Sequence, residues 1–322
     1  NLIFTEFCTV KNNTVNYNRN GHGVNVGTNS DHNLIRDNTV TGNDRSNIYF
    51  SASRYNKVIN NILDSSGDGS GVSLQASSFN LIKDNQIDDN DVYGVYIYVS
   101  DANKVIGNSL ESNYARGVHI RESESNMIDS NYIYDNREGI RIELRSEHNQ
   151  LLNNSILNSQ WYGLYLWRAN QNEIEENIVY KTEEHYGIYL KECEQNDIYW
   201  NDFIDNLKDA YDDGNNDWNK DYPDAGNYWS SYTGEDEMSG EDQDQPGSDG
   251  IGDTPYPIEG DGNEDRYPLI EPRRGIENTK PAASFTVEPH SGNLSTVFIF
   301  DASESYDNED NSSALLIPSL LS

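Results

Sequence analysis

Short apolar stretches separated by Asn and Gly recur along the chain at a fixed period. An Asn followed two residues later by an aliphatic residue returns every 23 or 24 residues, and a second such Asn lies five residues further on. The first series comprises Asn33, Asn56, Asn80, Asn103, Asn126, Asn149, Asn172 and Asn196. The second comprises Asn38, Asn61, Asn85, Asn108, Asn131, Asn154, Asn177 and Asn201. Such short alternation of apolar and polar positions predicts strands rather than helices.

A third apolar-x-apolar stretch precedes each first Asn and begins with glycine. The glycines are Gly23, Gly71, Gly94, Gly117, Gly139, Gly163 and Gly187, with Asn47 in the same place in one repeat. Three strands per repeat predict an all-β chain, a single-stranded parallel β-helix of about eight to nine coils. A leucine-rich repeat has a similar period, but no repeat carries its spaced leucines. We expect the Asn columns to occupy left-handed turns and to hydrogen-bond from coil to coil.

The charge is strongly acidic and unevenly distributed. The 322 residues include 22 Lys and Arg against 55 Asp and Glu, a formal net charge of −33. This excess disfavours nucleic acids and anionic membranes as partners. No apolar run is long enough to cross a bilayer. About half of the net charge lies between Lys208 and Ile270, so the repeat region itself is only moderately acidic.

The two ends of the repeat region support two further expectations. Asn13 aligns with Asn38, so we expect residue 1 to lie within a coil of the β-helix and further coils to precede it. The two cysteines, Cys8 and Cys193, fall about eight coils apart. At about 4.8 Å per stacked strand this separation is far beyond disulfide reach, so both are predicted to be unpaired.

The repeat, together with two later motifs, resembles a known class of β-helices. The motifs are GNYWSSYTG from Gly226 and DGIGDTPYPI from Asp249. Repeat and motifs are similar to the NosD-like, carbohydrate-binding and sugar-hydrolysis (CASH) class of right-handed parallel β-helices, common in archaeal surface proteins. The resemblance implies a secreted or cell-surface location and a polysaccharide partner. It leaves the activity open, because this fold carries lyases, hydrolases, epimerases and inert adhesins.

Composition divides the chain into four segments. Residues 1–210 form the predicted β-helix, 211–272 an acidic, aromatic C-terminal cap, and 273–280 a linker. Residues 281–322 begin with PAASFTVEPHSGN and resemble the first strands of a polycystic-kidney-disease (PKD) domain, an immunoglobulin-like sandwich that the segment is too short to complete.

The acidic cap is the candidate metal site. Carboxylates on flexible, glycine-rich loops are ligands that Ca²⁺ prefers. The candidate ligands are Asp242, Asp244, Asp249 and Asp253. The spacing is not that of an EF-hand, and a solvated acidic loop is the alternative. No organic cofactor is predicted.

The Gly-led strands carry the candidate binding surface. Their apolar members point inward, so the residues between them are expected to face solvent as a stacked stripe. The predicted substrate-binding residues are Tyr96, Tyr98, Arg121, Trp167, Arg168, Tyr189 and Lys191. Aromatic faces stack on sugar rings, and Arg pairs with carboxylate or sulfate, so the stripe predicts an acidic-glycan site. The alternative is that these side chains only stack and pair with one another.

Catalysis is assigned to the middle of this stripe, on His119, Arg141, Glu143 and Tyr165. β-Elimination at a uronic acid needs cations to neutralise the carboxylate and a base for the C5 proton, which these residues supply. Hydrolysis needs two facing acids; a hydrolase of the archaeal disaggregatase type, using loop acids, stays open. A non-catalytic glycan-binding module and a structural adhesin are the alternatives.

Copper, which the resemblance brings to mind, fits the sequence poorly. The soft-ligand candidates are His22, His32, His119, His148, His185, His290, Met127 and Met238. They form no close cluster along the chain or on one face of the repeat, as a copper site requires.

Overall fold

The structure, a computed structural model, describes residues 1–274, 286–288 and 299–301. The chain divides into two compact units, Asn1–Arg273 and Arg274–Ser322. In the second unit, the strands Thr286–Glu288 and Ile299–Asp301 pair antiparallel. The rest of the PKD-like segment lies outside the described residues, and the assignment stays a prediction.

Three parallel sheets of ten strands each form the first unit. Sheet 1 contains Thr9–Lys11, Leu34–Arg36, Lys57–Ile59, Leu81–Lys83, Lys104–Ile106, Met127–Asp129, Gln150–Leu152, Glu173–Glu175, Glu194–Tyr199 and Asn215–Asp217. Sheet 2 contains Thr14–Asn16, Thr39–Thr41, Ile62–Asp64, Gln86–Asp88, Ser109–Glu111, Tyr132–Tyr134, Ser155–Leu157, Ile178–Tyr180, Asp202–Ile204 and Tyr228–Trp229. Sheet 3 contains Val24–Val26, Ile48–Ser51, Ser70–Gln75, Tyr93–Tyr98, Arg116–Arg121, Glu138–Glu143, Tyr162–Trp167, Tyr186–Lys191, Lys208–Asp212 and Glu259–Gly260.

These sheets confirm the right-handed parallel β-helix and extend it to about ten coils, against the eight to nine expected. The additional strands come from Asn215–Asp217, Tyr228–Trp229 and Glu259–Gly260, within the predicted acidic cap. Two antiparallel pairs complete this segment: Met238–Ser239 with Gln245–Pro246, and Tyr256–Pro257 with Glu264–Asp265. In the part of the chain that the structure describes, no helix is long and apolar enough to cross a membrane.

The aliphatic columns form the core, as the period predicts. Val105, Ile128 and Leu151 pair in register on successive coils of sheet 1, and each is fully buried. Burying one such side chain contributes about 1.5–3 kcal/mol, so a narrow tube of aliphatic columns suffices for a polar chain.

The Asn columns form the predicted hydrogen-bond ladders. Asn131 accepts from the backbone N–H of Asn108 and donates its amide to Asn154, Val105 and Asp129 at 2.9–3.0 Å. The expectation that these Asn adopt left-handed turns is wrong, because the positive φ falls on the residue immediately before each one. That position holds many residue types, among them Ser130 with φ 54°. The side-chain amide explains the Asn at this position, because it hydrogen-bonds to the coil before it and to the coil after it.

The glycine column has a steric cause. A Cβ added to Gly71 would lie 2.2 Å from the Ile87 side chain and 2.9 Å from the Gly94 carbonyl oxygen. At Gly71, sheet 3 therefore passes too close to the core column of sheet 2 for a side chain, whereas in the preceding coil Asn47 occupies the equivalent position and donates its amide to Asp64 and Asn90.

The last coil closes the core with aromatic rings. Trp229 stacks on Phe203 and on Tyr256, with centroids 4.5 Å apart in each pair. Its indole N–H donates to the buried carboxylate of Asp265 at 2.9 Å. Burial raises the pKa of Asp265 to about 7. The hydrogen bonds that this carboxylate accepts favour its charged form and only partly offset the rise.

Candidate functional site on the outer face of sheet 3

The outward residues of sheet 3 align in two columns as the sequence predicts. The first column is Tyr49, Ser73, Tyr96, His119, Arg141, Tyr165, Tyr189 and Tyr211. The second is Ser51, Gln75, Tyr98, Arg121, Glu143, Trp167 and Lys191. The predicted catalytic and substrate-binding residues, apart from Arg168, which follows its strand, therefore share one surface.

Three residues of this surface, Ser73, His119 and Glu143, are buried, contrary to expectation. His119 retains 3% and Glu143 retains 7% of its exposure. Tyr96 stacks over the His119 imidazole with centroids 5.1 Å apart, and the ring of Tyr93 meets it edge-on at 4.9 Å. Arg141 covers Glu143, with its Nε donating to the carboxylate at 2.7 Å. Neighbouring large side chains thus bury polar groups on the outer side of the sheet.

Glu138 joins this cluster, and sequence reasoning missed it. It accepts from Nε of Arg116 at 2.6 Å and from Arg141 at 3.2 Å, and it is itself buried. The sequence repeat could have indicated this residue, because Glu138 pairs in register with Arg116 one coil away. The cluster holds two guanidinium groups and two carboxylates, so its charges neutralise one another.

The cluster displaces the pKa values of its members. Burial lowers the pKa of His119 to about 4, so the imidazole is neutral at pH 7. Burial opposes the charge of Glu143, but contacts with His119 and Arg141 outweigh it and lower the pKa to about 2. The His119 Nε2 lies 3.3 Å from Glu143 but is not aligned for a hydrogen bond, and neither ring nitrogen has a hydrogen-bond partner.

Tyrosines surround this cluster in stacked arrays. Tyr189 stacks on Tyr165 at 5.4 Å and on Tyr211 at 4.6 Å between centroids. The Arg141 guanidinium lies 4.1 Å from the centroid of the Tyr165 ring. Burial raises the pKa of Tyr165, and burial together with Tyr93 raises that of Tyr96 to about 12, so both hydroxyls keep their protons at neutral pH.

The second column holds the more accessible cation. The Arg121 side chain retains 40% of its exposure and lies 3.4 Å from Glu122 and 3.9 Å from Glu143, while its Nε makes no hydrogen bond. Two coils after Arg121 in the same column, Trp167 pairs in register with Lys191. Arg168 is exposed, and its Nε lies 2.6 Å from the Glu192 carboxylate.

A cleft of about 670 Å³ opens at the start of this surface, where the sequence predicted no site. Its lining comprises Asn20, His22, Asp44, Arg45, Ser46, Tyr49, Gly67, Asp68, Gly69, Ser70, Ser73, Gln75, Asp91, Val92, Tyr93 and Tyr96. The sequence signal was the small residue Ser73 between Tyr49 and Tyr96 in the aligned column.

The four aspartates proposed for calcium lie in separate contacts. Asp242 pairs with Arg266 at 3.0 Å, and Asp249 accepts from the Gln243 amide. Asp253 accepts two backbone N–H groups, and Asp244 contacts Gln245. Among the residues that the structure describes, no group of three or more His, Cys, Asp or Glu side chains is placed to hold a metal ion. Calcium binding stays a prediction.

The soft-ligand candidates of the described chain lie in separate contacts, and the poor fit to copper stays a prediction. His22 stacks on Tyr49, His185 on Tyr162, and His32 lies in the ring column of Phe7 and Tyr55. Met127 lies in sheet 1, and His290 falls outside the described residues. Cys8 and Cys193 are both free thiols, as predicted.

Fold and surface define a right-handed parallel β-helix with a continuous polar and aromatic face on one sheet. The sequence profile of the family described as periplasmic copper-binding protein (NosD) matches residues 1–162 and 145–234. The chain therefore belongs to the NosD family.

Solved structures of the same fold include two enzymes of Azotobacter vinelandii. The A-module of mannuronan C-5 epimerase AlgE6 matches with a TM-score of 0.56 at 15% identity, covering 59% of this chain and 57% of that one. The AlgE4 A-module matches with a TM-score of 0.50 at 17% identity, covering 65% and 61%. The chain spans about three fifths of both modules, and at these identities the likeness establishes the fold. Among curated proteins, none matches the chain.

Proposed function

We propose that the protein is an extracellular or cell-surface polysaccharide-binding β-helix, and that an acidic glycan lies along the outer face of sheet 3. The observation that carries the proposal is the register of this face, which aligns aromatic rings, an accessible guanidinium and an ammonium group over successive coils. Rings of this kind stack on sugars, and cations pair with uronate carboxylates.

The accessible cations are Arg121 and Lys191 rather than Arg141. Arg141 already donates to Glu143 and Glu138, so binding a uronate would require it to leave two buried carboxylates. The Arg121 side chain retains 40% of its exposure, against 16% for Arg141, and its guanidinium lies 5.9 Å from the Tyr98 ring. A carboxylate approaching from solvent therefore meets Arg121 first.

The decisive experiment compares two arginines of similar exposure on different sheets. Arg36 in sheet 1 retains 45% of its side-chain exposure, against 40% for Arg121. Mannuronan is the first probe, because it is a polyuronate and gives the two Azotobacter enzymes their names. We expect Arg121→Ala to weaken binding about tenfold, the loss of one charge-assisted hydrogen bond, and Arg36→Ala to leave it unchanged. Equal effects of the two substitutions, or no binding by the wild type to any polyuronate in a panel, would remove the proposal.

Cleavage of the bound glycan is the second candidate, and the neutral imidazole of His119 favours it. In β-elimination a base removes the C5 proton of a uronate, the C4–O4 bond breaks, and the departing oxygen takes a proton. His119 is neutral at pH 7 with an unpaired ring nitrogen, and Tyr165 and Tyr96 retain hydroxyl protons that they can donate. The nitrogens are buried, so Tyr93 and Tyr96 must move before His119 reaches substrate.

Incubation with the same polyuronates separates the enzymatic from the binding function. Elimination produces unsaturated uronates that absorb in the ultraviolet, whereas hydrolysis produces reducing ends without that absorbance. If a bound polymer yields neither product, the protein is a binding module.

A further inference from the structure

The cleft at the start of sheet 3 arises from a gap in the aromatic column. Tyr49, Ser73 and Tyr96 occupy the same position on three successive coils. Two strand spacings separate the tyrosines, about 9.6 Å. A pyranose ring placed midway would lie about 4.8 Å from each aromatic ring, a separation at which sugar and ring stack. Further along the column, Tyr189 and Tyr211 are adjacent and stack at 4.6 Å, leaving no such space.

Both tyrosines are held in place by neighbours outside the gap. His22, from the coil before Tyr49, stacks on it at 4.2 Å with an interplanar angle of 12°. His119, from the coil after Tyr96, stacks on that ring at 5.1 Å. The Tyr49 hydroxyl donates to Gln75 at 3.0 Å, which fixes the ring beside the floor of the cleft. The slot is therefore preformed, which reduces the entropy cost of filling it.

The wall of the cleft is acidic. Three exposed carboxylates, Asp44, Asp68 and Asp91, line it together with one guanidinium, that of Arg45. Burial and Arg45 lower the pKa of His22, so its imidazole adds no charge at pH 7. The floor contributes the hydroxyl groups of Ser70 and Ser73. A ligand suited to this lining is a hydroxylated ring that carries positive charge.

We propose that the cleft is a subsite for a hexosamine unit with a free, protonated amino group. The sugar ring enters between Tyr49 and Tyr96 above Ser73, and its ammonium group faces Asp44, Asp68 and Asp91. This inference rests on the proposed function, since the cleft opens onto the same face. It specifies that the glycan contains hexosamine as well as uronate units.

Calorimetry with short oligosaccharides tests the subsite directly. The probe is the β-1,4 tetramer of glucosamine, with its fully N-acetylated form and spermidine for comparison. We expect the amino form to bind at least about tenfold more tightly than the acetylated form, because acetylation removes the charge. Equal binding of the two forms, or equally tight binding of spermidine, would overturn the proposal.

Two sets of variants locate the binding. Ser73→Tyr continues the aromatic column and fills the slot, whereas Ser109→Tyr makes the same change on the outer face of sheet 2. We expect the first to abolish glucosamine-tetramer binding and the second to preserve it. Asp68→Asn with Asp91→Asn alters only exposed carboxylates and should weaken binding about tenfold without affecting folding.

The same variants distinguish this inference from the proposed function. Ser73→Tyr with unchanged tetramer binding refutes the hexosamine subsite even if mannuronan binding still depends on Arg121. Loss of the Arg121 effect on mannuronan removes the proposed acidic-glycan surface, while the tetramer result reports on the cleft alone.

Discussion

The Arg141 guanidinium donates to Glu143 at 2.7 Å on the outer face of sheet 3, and this contact buries the Glu143 carboxylate while the Arg141 side chain retains 16% of its exposure. The sequence placed them there as catalytic partners. In the structure they belong to a charge-balanced cluster that also includes Glu138 and Arg116, and their catalytic role stays a prediction.

Arg141→Ala should therefore act mainly on stability. The substitution leaves Glu138 and Glu143 buried with fewer partners, and removing one member of a buried ion pair costs about 3 kcal/mol. Urea unfolding measures the difference in free energy. Arg54→Ala, at an exposed position, is the control and should change the free energy of unfolding by less than about 0.5 kcal/mol. An Arg141→Ala protein of unchanged stability that has lost glycan binding would contradict this prediction and assign Arg141 to the ligand.

His119 should make stability depend on pH in the mildly acidic range. Its pKa falls from 6.5 to about 4 on folding, so between these values the unfolded chain binds the proton that the folded chain rejects. The contribution of the neutral His119 imidazole to folding stability is complete above pH 6.5 and is lost as pH falls from 6.5 towards 4. His119→Gln should reduce this slope, measured as melting temperature against pH. His22, whose pKa is also lowered, leaves a residual slope, and an unchanged profile would contradict the buried neutral imidazole.

The Asn ladder should be costly to interrupt at its centre. Asn131→Ala removes hydrogen bonds to the coils on both sides and leaves buried backbone groups unpaired, for a loss of about 3 kcal/mol. Asn16→Ala, at an exposed strand position, should fall within about 0.5 kcal/mol of the wild type. Comparable losses of unfolding free energy at both positions would indicate that strand propensity, rather than the Asn ladder, causes the effect of Asn131→Ala.

Chelation tests the calcium prediction for Asp242, Asp244, Asp249 and Asp253. An ion bound only by the folded chain raises its stability, so excess EDTA should lower the melting temperature and added Ca²⁺ should restore it. Magnesium at equal ionic strength is the control for screening. An unchanged melt would leave these residues as a solvated acidic loop with the paired contacts described above.

The columns of the β-helix were predictable because each follows from a local repeat. Ile128 and Asn131 recur at a constant spacing, and stacking identical coils places equivalent residues above one another. The same repeat places Tyr96, His119 and Arg141 at equivalent positions of successive coils. The left-handed turns were misplaced by one residue, because the residue types at those positions vary and the hydrogen-bonded Asn beside them does not.

The acidic excess is likewise a property of the sequence, and so are the period, the three strands of each coil and the order of side chains on each face. The tertiary structure decided which outward groups are buried and where the surface opens. Burial of His119 depends on the sizes and rotamers of Tyr93 and Tyr96 one coil away, and the cleft depends on Ser73 standing between two tyrosines. These are contacts between coils more than 20 residues apart in sequence, and their energies depend on packing rather than on residue order.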